Sequence, residues 1–341
     1  MTQPRLIWAD SLKGWLMLLV ILGHAIQGTL GYECNSNHVF NFIYSFHMPA
    51  FIAVSGWLLF RGDLSSYTKE EYLKSCKRRS LQLLVPYFVW IIITFIRKGD
   101  YTLQASTDFL LYPDHSFWFL WVLFWIFAIF RLAQLVAFNL KINEIWIILC
   151  TCLLLLGLMV TMEIRILGFQ FLSYYFLFYT VGYFLHKFKA FKLKVKWNRI
   201  TLVIFFFLWI WLAWGWTMHG LPSWIPAIPY LPSSLLQYAY RGFTALVAIL
   251  IINSIAPKIL NNTHPLNNIL CHLGIVSLGL YVVHLSIMDY IVDGIQTAMP
   301  SLSTWACIFL AFIMALTISY FIVWLLNKNK YTAIIFIGKY H

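Results

Sequence analysis

Trp8-Ala-Asp-Ser-Leu-Lys-Gly-Trp-Leu-Met-Leu-Leu-Val-Ile-Leu-Gly-His24 is apolar enough to enter a bilayer, yet it carries Asp10, Lys13 and His24. Lys13 and His24 are eleven residues apart, close to three helical turns. They therefore share one helix face, about 16 Å apart along the axis. An ionisable side chain inside a membrane is costly and marks a functional site by default. The stretch lacks the short apolar core and small-residue cleavage site of a signal peptide. It reads as a helix that is kept and a polar stripe that is used.

The same character extends outward along the chain. Of its 341 residues, 61% are hydrophobic, 19% aromatic and only 11% charged, and the mean hydropathy is +0.77. A soluble protein carries about 25% charged residues. Long apolar runs recur throughout and lack the period-two alternation of an outer-membrane barrel. The sequence thus predicts an all-α, polytopic integral membrane protein of about ten spans. They are placed at 10–30, 41–60, 80–97, 117–138, 143–162, 168–186, 200–217, 234–256, 272–291 and 304–326. The longest polar connections, 61–79, 98–116 and 187–199, are too short to hold an independent core. Residues 1–341 accordingly form a single membrane domain. The six cysteines show neither disulfide-framework nor metal-ligand spacing, and no metal is expected.

The net charge of +12 would suggest a nucleic-acid partner in a soluble protein, but here its distribution reads as topology. With the N-terminus in the cytoplasm, twenty of the 24 lysines and arginines fall on the cytoplasmic side. They are Arg5, Lys13, Arg61, Lys69, Lys74, Lys77, Arg78, Arg79, Arg131, Lys141, six from Lys187 to Arg199, Lys258, Lys328, Lys330 and Lys339. Only Arg97, Lys98 and Arg165 fall opposite, and Arg241 lies inside a span. This is a positive-inside bias with both termini cytoplasmic, and no nucleic acid is expected.

Several polar groups share one depth in that topology. His24 lies in the outer half of span 1, with Gln27 on its face. His47 lies about two turns below the outer end of span 2, within Phe46-His47-Met48-Pro49. Span 9 carries Ser277, Tyr281 and His284 at i, i+4 and i+7, on one face. His24, His47 and His284 are thus expected to converge on an outer-half cavity. For His47, and for Ser277, Tyr281 and His284, interhelical hydrogen bonding is an equally simple use. His24 stands apart because Asp10 and Lys13 accompany it, and Asp10 is expected to pair with Lys13 at i,i+3. Lys74, Lys77, Arg78 and Arg79 suit either topology and anionic-lipid contact or docking of an anionic cytoplasmic ligand. Arg241 requires a counter-charge, carbonyls or water. The outer loop 218–233, rich in proline and aromatics, suits either a lid or an interfacial belt.

Together these residues resemble the integral-membrane acyltransferase family 3, in particular its branch similar to fucose 4-O-acetylases of polysaccharide and nodulation-factor modification. The opening pattern is Asp10, Lys13, Gly23 and His24, and the second is Phe46-His47-Met48-Pro49-Ala50-Phe51 followed by Ser55-Gly56. A third pairs Lys77-Arg78-Arg79 with Pro86-Tyr87. Phe117 to Leu120, Tyr179 to Tyr183 and Ser277 to His284 also fit, so the likeness runs from about residue 5 to 326. One departure is that many members carry a second arginine three residues on, where this chain has Gln82. Arg78 or Lys77 is expected to supply that charge.

The resemblance implies transfer of an acyl group, usually acetyl from acetyl-CoA, to a hydroxyl of an extracytoplasmic or lipid-linked glycan. It implies a multi-pass protein of the inner (plasma) membrane, whose partners are acyl-CoA, the sugar acceptor and the lipid bilayer. His24 becomes either a general base or a transient acyl carrier. Tyr281, Ser277 or His47 would stabilise the developing oxyanion. The expected catalytic set is His24, Lys13, Asp10, His47, Tyr281 and His284. Lys13, Lys77, Arg78, Arg79 and Arg241 are expected to bind the donor. The alternative from another class is a proton-coupled transporter, whose ionisable intramembrane residues look alike. The absence of a visible internal repeat speaks against it. Oligomeric state is not legible.

Overall fold

The computed structural model describes residues 6–60, 62, 67–99, 102–113, 117–162, 164, 166–190, 199–226, 228, 231–262 and 264–339. Of the expected basic positions, Arg5, Arg61, Arg165, Lys192, Lys194 and Lys196 lie outside the described residues, as do Ala227, Pro229 and Tyr230 of the outer loop. In chain order the helices are α1 (Ile7–Leu30), α2 (His38–Tyr44), α3 (His47–Trp57), α4 (Lys69–Lys98), α5 (Leu103–Leu111), α6 (Trp118–Leu140) and α7 (Glu144–Met162). There follow α8 (Phe169–Ala190), α9 (Arg199–Trp214), α10 (Ser233–Ile259), α11 (Pro265–Ile275), α12 (Ser277–Ala298), α13 (Thr304–Leu326) and α14 (Lys330–Ile337). No strand occurs among the described residues.

Eight helical segments there are long and apolar enough to cross a membrane. The two remaining expected spans fall on α8 and on the 16-residue α9. The chain is an all-α, multi-pass membrane protein. In lipid every backbone amide must be bonded within its own segment, which is why apolar runs of this length become helices.

Three boundaries differ from the hydropathy reading, each for a local reason. The helix expected from residue 80 begins at Lys69. Thr68 Oγ1 accepts from the Glu71 amide at 3.2 Å and Glu71 Oε2 accepts from the Thr68 amide at 2.9 Å, a reciprocal capping box. The basic residues 74–79, expected in a connection, are therefore the early turns of α4. Span 2 is broken at Ser45-Phe46 into α2 and α3. Pro49 follows in the first turn of α3, where it has no amide proton to lose. Span 9 starts at Ser277 rather than 272, because Val276 separates α11 from α12.

The helices form two compact units interleaved in sequence. One comprises residues 1–54 and 193–323, the other 55–192 and 324–341. In the first, α1 is central and packs against α2, α10, α11 and α12. In the second, α4 packs against α6 and α14, and α7 against α6 and α8. The Trp90 indole there donates to the Phe336 carbonyl at 2.7 Å, fixing α14 on α4.

Candidate functional site

The first unit sets α1 in place through two glycines. A Cβ at Gly14 would lie 1.9 Å from the Leu270 carbonyl oxygen, and one at Gly274 would lie 1.8 Å from that of Asp10. Only hydrogen fits at either position, so α1 and α11 touch backbone to backbone, as small residues allow between membrane helices. The Ser11 hydroxyl donates to the Asn267 carbonyl at 3.2 Å along the same seam. Beside it, Lys13 Nζ lies 3.0 Å from Asp10 Oδ1, the i,i+3 pair the spacing predicts, and both side chains are largely shielded.

That seam fixes the register of α12, because Val276 is the sole residue between α11 and α12. Two turns into α12, His284 is fully buried, and its Nε2 lies 3.1 Å from Nδ1 of the half-buried His24. His284 Nδ1 lies 2.7 Å from the Leu280 carbonyl oxygen. A carbonyl only accepts, so that nitrogen carries the proton. A neutral imidazole has one N–H, which leaves His284 Nε2 as an acceptor. His24 must then donate from Nδ1. The lone pair of His24 is therefore directed through Nε2, the ring atom not engaged by His284.

The break between α2 and α3 supplies the other side. His47 is buried, and its Nδ1 donates to the Ile43 carbonyl at 2.7 Å, which also accepts from the Phe46 amide at 3.3 Å. Its Nε2 is thereby an acceptor too. Tyr44 lies against both His47 and Gly23, the neighbour of His24, so all three histidines gather in one region of this unit. The Tyr44 ring meets His47 edge-on at 4.8 Å between centroids, and its hydroxyl donates to Gln27 Oε1 at 3.3 Å. A Cβ at Gly23 would stand 2.8 Å from Tyr44 Cε2, so the glycine before His24 makes room for that ring. Tyr44 was missed in sequence, although it sits three residues before His47. Tyr281 is buried, with its ring 6.0 Å from that of His284. Arg241 donates to the Thr217 carbonyl at 2.8 Å and covers the Trp216 ring at 5.2 Å, which ties α10 to the segment after α9.

The second unit holds the basic group of α4. Lys77 and Arg78 are exposed, whereas Arg79 turns inward, and its Nη1 donates to Gln82 Oε1 at 2.8 Å. The Arg79 guanidinium carbon lies 5.5 Å from the centre of the Phe127 ring on α6. The guanidinium carbon of Arg131, one turn along α6, lies 6.0 Å from the same ring and 5.0 Å from that of Tyr67. Arg131 thus lies against the same ring as Arg79, on the neighbouring helix. Sequence reading had assigned Arg131 to topology alone. Phe127 has two guanidinium groups beside its ring, one from α4 and one from its own helix.

What fold and site define is a multi-pass α-helical membrane protein with buried histidines meeting in one unit and shielded arginines in the other. The family model described as Acyltransferase domain matches residues 6–324. The chain belongs to that family, the membrane acyltransferases of family 3, and acyl transfer is the chemistry the family names. Among curated proteins it is similar to nodulation protein NolL of Mesorhizobium japonicum, 29% identical over 191 residues, covering 53% of this chain and 48% of that protein. It is also similar to nodulation protein NolL of Sinorhizobium fredii, 32% identical over 191 residues, covering 52% and 48% respectively. The chain thus matches about half the length of each of these relatives. No solved structure matches it.

Proposed function

We propose that this protein moves an acyl group, acetyl in the first instance, from cytoplasmic acyl-CoA to a hydroxyl of an extracytoplasmic or lipid-linked glycan. It acts in the bacterial inner membrane with both termini in the cytoplasm. The observation that carries the reading is the chain from the Leu280 carbonyl through His284 to His24 Nδ1. It leaves His24 Nε2 with a free lone pair, as either a base or a nucleophile requires. The family match favours this over a proton-coupled carrier.

As a base, His24 Nε2 takes the acceptor hydroxyl proton while the oxygen bonds to the thioester carbonyl carbon. The C–S bond then breaks, and the departing thiolate takes the proton back from Nε2. As a carrier, Nε2 itself bonds to the carbonyl carbon and the thiolate leaves. The hydroxyl then displaces Nε2, and its proton passes to the thiolate. In both routes the positive charge that develops on His24 is shared through Nδ1–H with His284. Tyr281, His47 and Ser277 are the groups for the oxyanion. Lys13, paired with Asp10, stands three turns from His24 on the side the charge bias makes cytoplasmic. Arg79, with Lys77 and Arg78, meets the anionic donor.

The test is transfer of labelled acetyl from acetyl-CoA by the purified protein to envelope glycans of a strain lacking it. Label on the glycan is the expected result, and label retained on His24 selects the carrier route. A purified, folded protein that labels neither itself nor any glycan would overturn the proposal.

A further inference from the structure

The α1 face that carries His24 continues one turn outward to Gln27, a residue the acyl-transfer steps above do not use. Residues three apart on a helix stand about 5–6 Å apart at Cβ, so the two side chains are neighbours. Gln27 lies three residues before the end of α1 at Leu30, and His24 lies six before it. Those offsets are about 4.5 and 9 Å along the axis. In the orientation proposed above, a group arriving from outside meets Gln27 first and His24 a turn deeper.

Tyr44 closes one flank of this patch. Its ring lies beside Gly23, and its hydroxyl reaches Gln27. Gly23 and Gln27 are four residues apart, hence on one side of α1, so the tyrosine spans a turn of helix alongside His24. His24, Gln27 and Tyr44 thus border one stretch of the α1 surface, where Gln27 is exposed and the other two are half-buried. The Tyr44 contact satisfies little of the glutamine. An amide offers two N–H donors as well as its oxygen, and among the described residues Gln27 Nε2 has no protein partner. At 3.3 Å the hydroxyl contact is longer than the usual O–H···O range of about 2.5–3.0 Å, a poor fastening between helices. It does give the amide a direction, with the oxygen toward Tyr44 and both N–H groups turned away. Donors facing hydrocarbon would go unmet, so this face of α1 belongs beside water or a ligand.

We infer that Gln27 positions the acceptor: its amide donates to a sugar oxygen next to the hydroxyl presented to His24 Nε2. The ligand class is a polyhydroxyl acceptor, whose neighbouring oxygens occupy the amide and the imidazole together. An acceptor with a lone hydroxyl would reach His24 without using Gln27. The inference rests on the reading of acyl transfer to a glycan above, and adds to it a group that selects the acceptor.

The experiment measures initial rates of labelled acetyl transfer by the full chain. Its acceptor probe is envelope glycan from a strain lacking the protein, stripped of O-acetyl groups by mild alkali and varied in concentration. Gln27→Ala is expected to raise the acceptor KM about three- to tenfold, the range for one neutral hydrogen bond. The kcat and the donor KM are expected to stay close to wild type. Gln27→Glu keeps the shape and exchanges the N–H donors for an acceptor. It should raise the acceptor KM at least as much, and it serves where the alanine variant does not fold. Tyr44→Phe, which frees the amide but leaves its donors, should raise it by less. A wild-type acceptor KM in both Gln27 variants would overturn the inference and leave glycan acylation standing. A fall in kcat at unchanged acceptor KM would overturn it too, by giving Gln27 the part of holding Tyr44 instead. No transfer to any glycan by wild type would overturn both the inference and the reading beneath it.

Discussion

His24 on α1 and His284 on α12, 260 positions apart in sequence, meet nitrogen to nitrogen at 3.1 Å. The Leu280 carbonyl behind His284 gives that contact a direction, so the two rings act as one unit. Replacing His24 by alanine is expected to lower acyl transfer about 10²–10⁴-fold, the range of a positioned acid–base group. His284→Ala should cost less, because His24 keeps its lone pair but loses its orientation. The double variant should be no worse than His24→Ala alone, since groups acting as a unit are strongly non-additive. Initial rates with labelled donor, at unchanged donor KM, check this. Fully additive losses would show that the histidines work separately.

The Gly23–Tyr44 contact offers a milder perturbation. A methyl group at Gly23 must displace the Tyr44 ring, whose nearest atom would stand at 2.8 Å, and that ring lies against His47. Gly23→Ala is expected to lower the rate about tenfold, with overpacking costing about 1–3 kcal/mol of stability. Tyr44→Phe, which keeps the ring and drops the bond to Gln27, should stay within a few-fold of wild type. Equal losses in the two variants would put the weight on the hydroxyl instead.

The seam between α1 and α11 carries the strongest stability expectation. Gly14→Ala or Gly274→Ala places a carbon within 2 Å of a backbone oxygen, which no rotamer change relieves. The helices must separate, and a loss of more than about 4 kcal/mol marks such a packing failure. Gly157 and Gly294 have open space where a Cβ would go. Alanine at these positions should be neutral or slightly stabilising, by about 0.5–1 kcal/mol in a helix interior. Thermal unfolding of the four variants in one detergent reads the contrast.

Much of this architecture is legible in one dimension, and the exceptions have physical causes. Each expected span lies on helix because burying twenty apolar residues in lipid leaves the backbone no other partner. Hydropathy is blind to the eleven added residues at the start of α4, seven of which are charged. The signal there was Thr68 followed three residues later by Glu71. It is equally blind to the breaks at Ser45-Phe46 and Val276, where apolar residues continue on both sides. The Asp10–Lys13 pair followed from helical periodicity. The meeting of His24 with His284, and of Arg79 with the Phe127 ring, depends on which helices are lateral neighbours. That is set by contacts such as Gly14 against Leu270, which leave no trace in composition.

The direction in which the chain crosses the membrane is open to a separate test. The charge bias puts Ser301, in the turn after α12, outside and Lys258, at the end of α10, inside. Both side chains are exposed. In a background with the six native cysteines replaced, Ser301→Cys should react in intact spheroplasts with a maleimide that does not cross membranes. Lys258→Cys should react only after lysis. The prediction is sharp because positive-inside orientation depends on lysines and arginines in short loops, and those of this chain lie overwhelmingly on one side. Labelling of Lys258→Cys from outside would invert the topology. It would put Lys13 and Arg79 on the face away from cytoplasmic CoA, and the proposed direction of acyl transfer would fall with it.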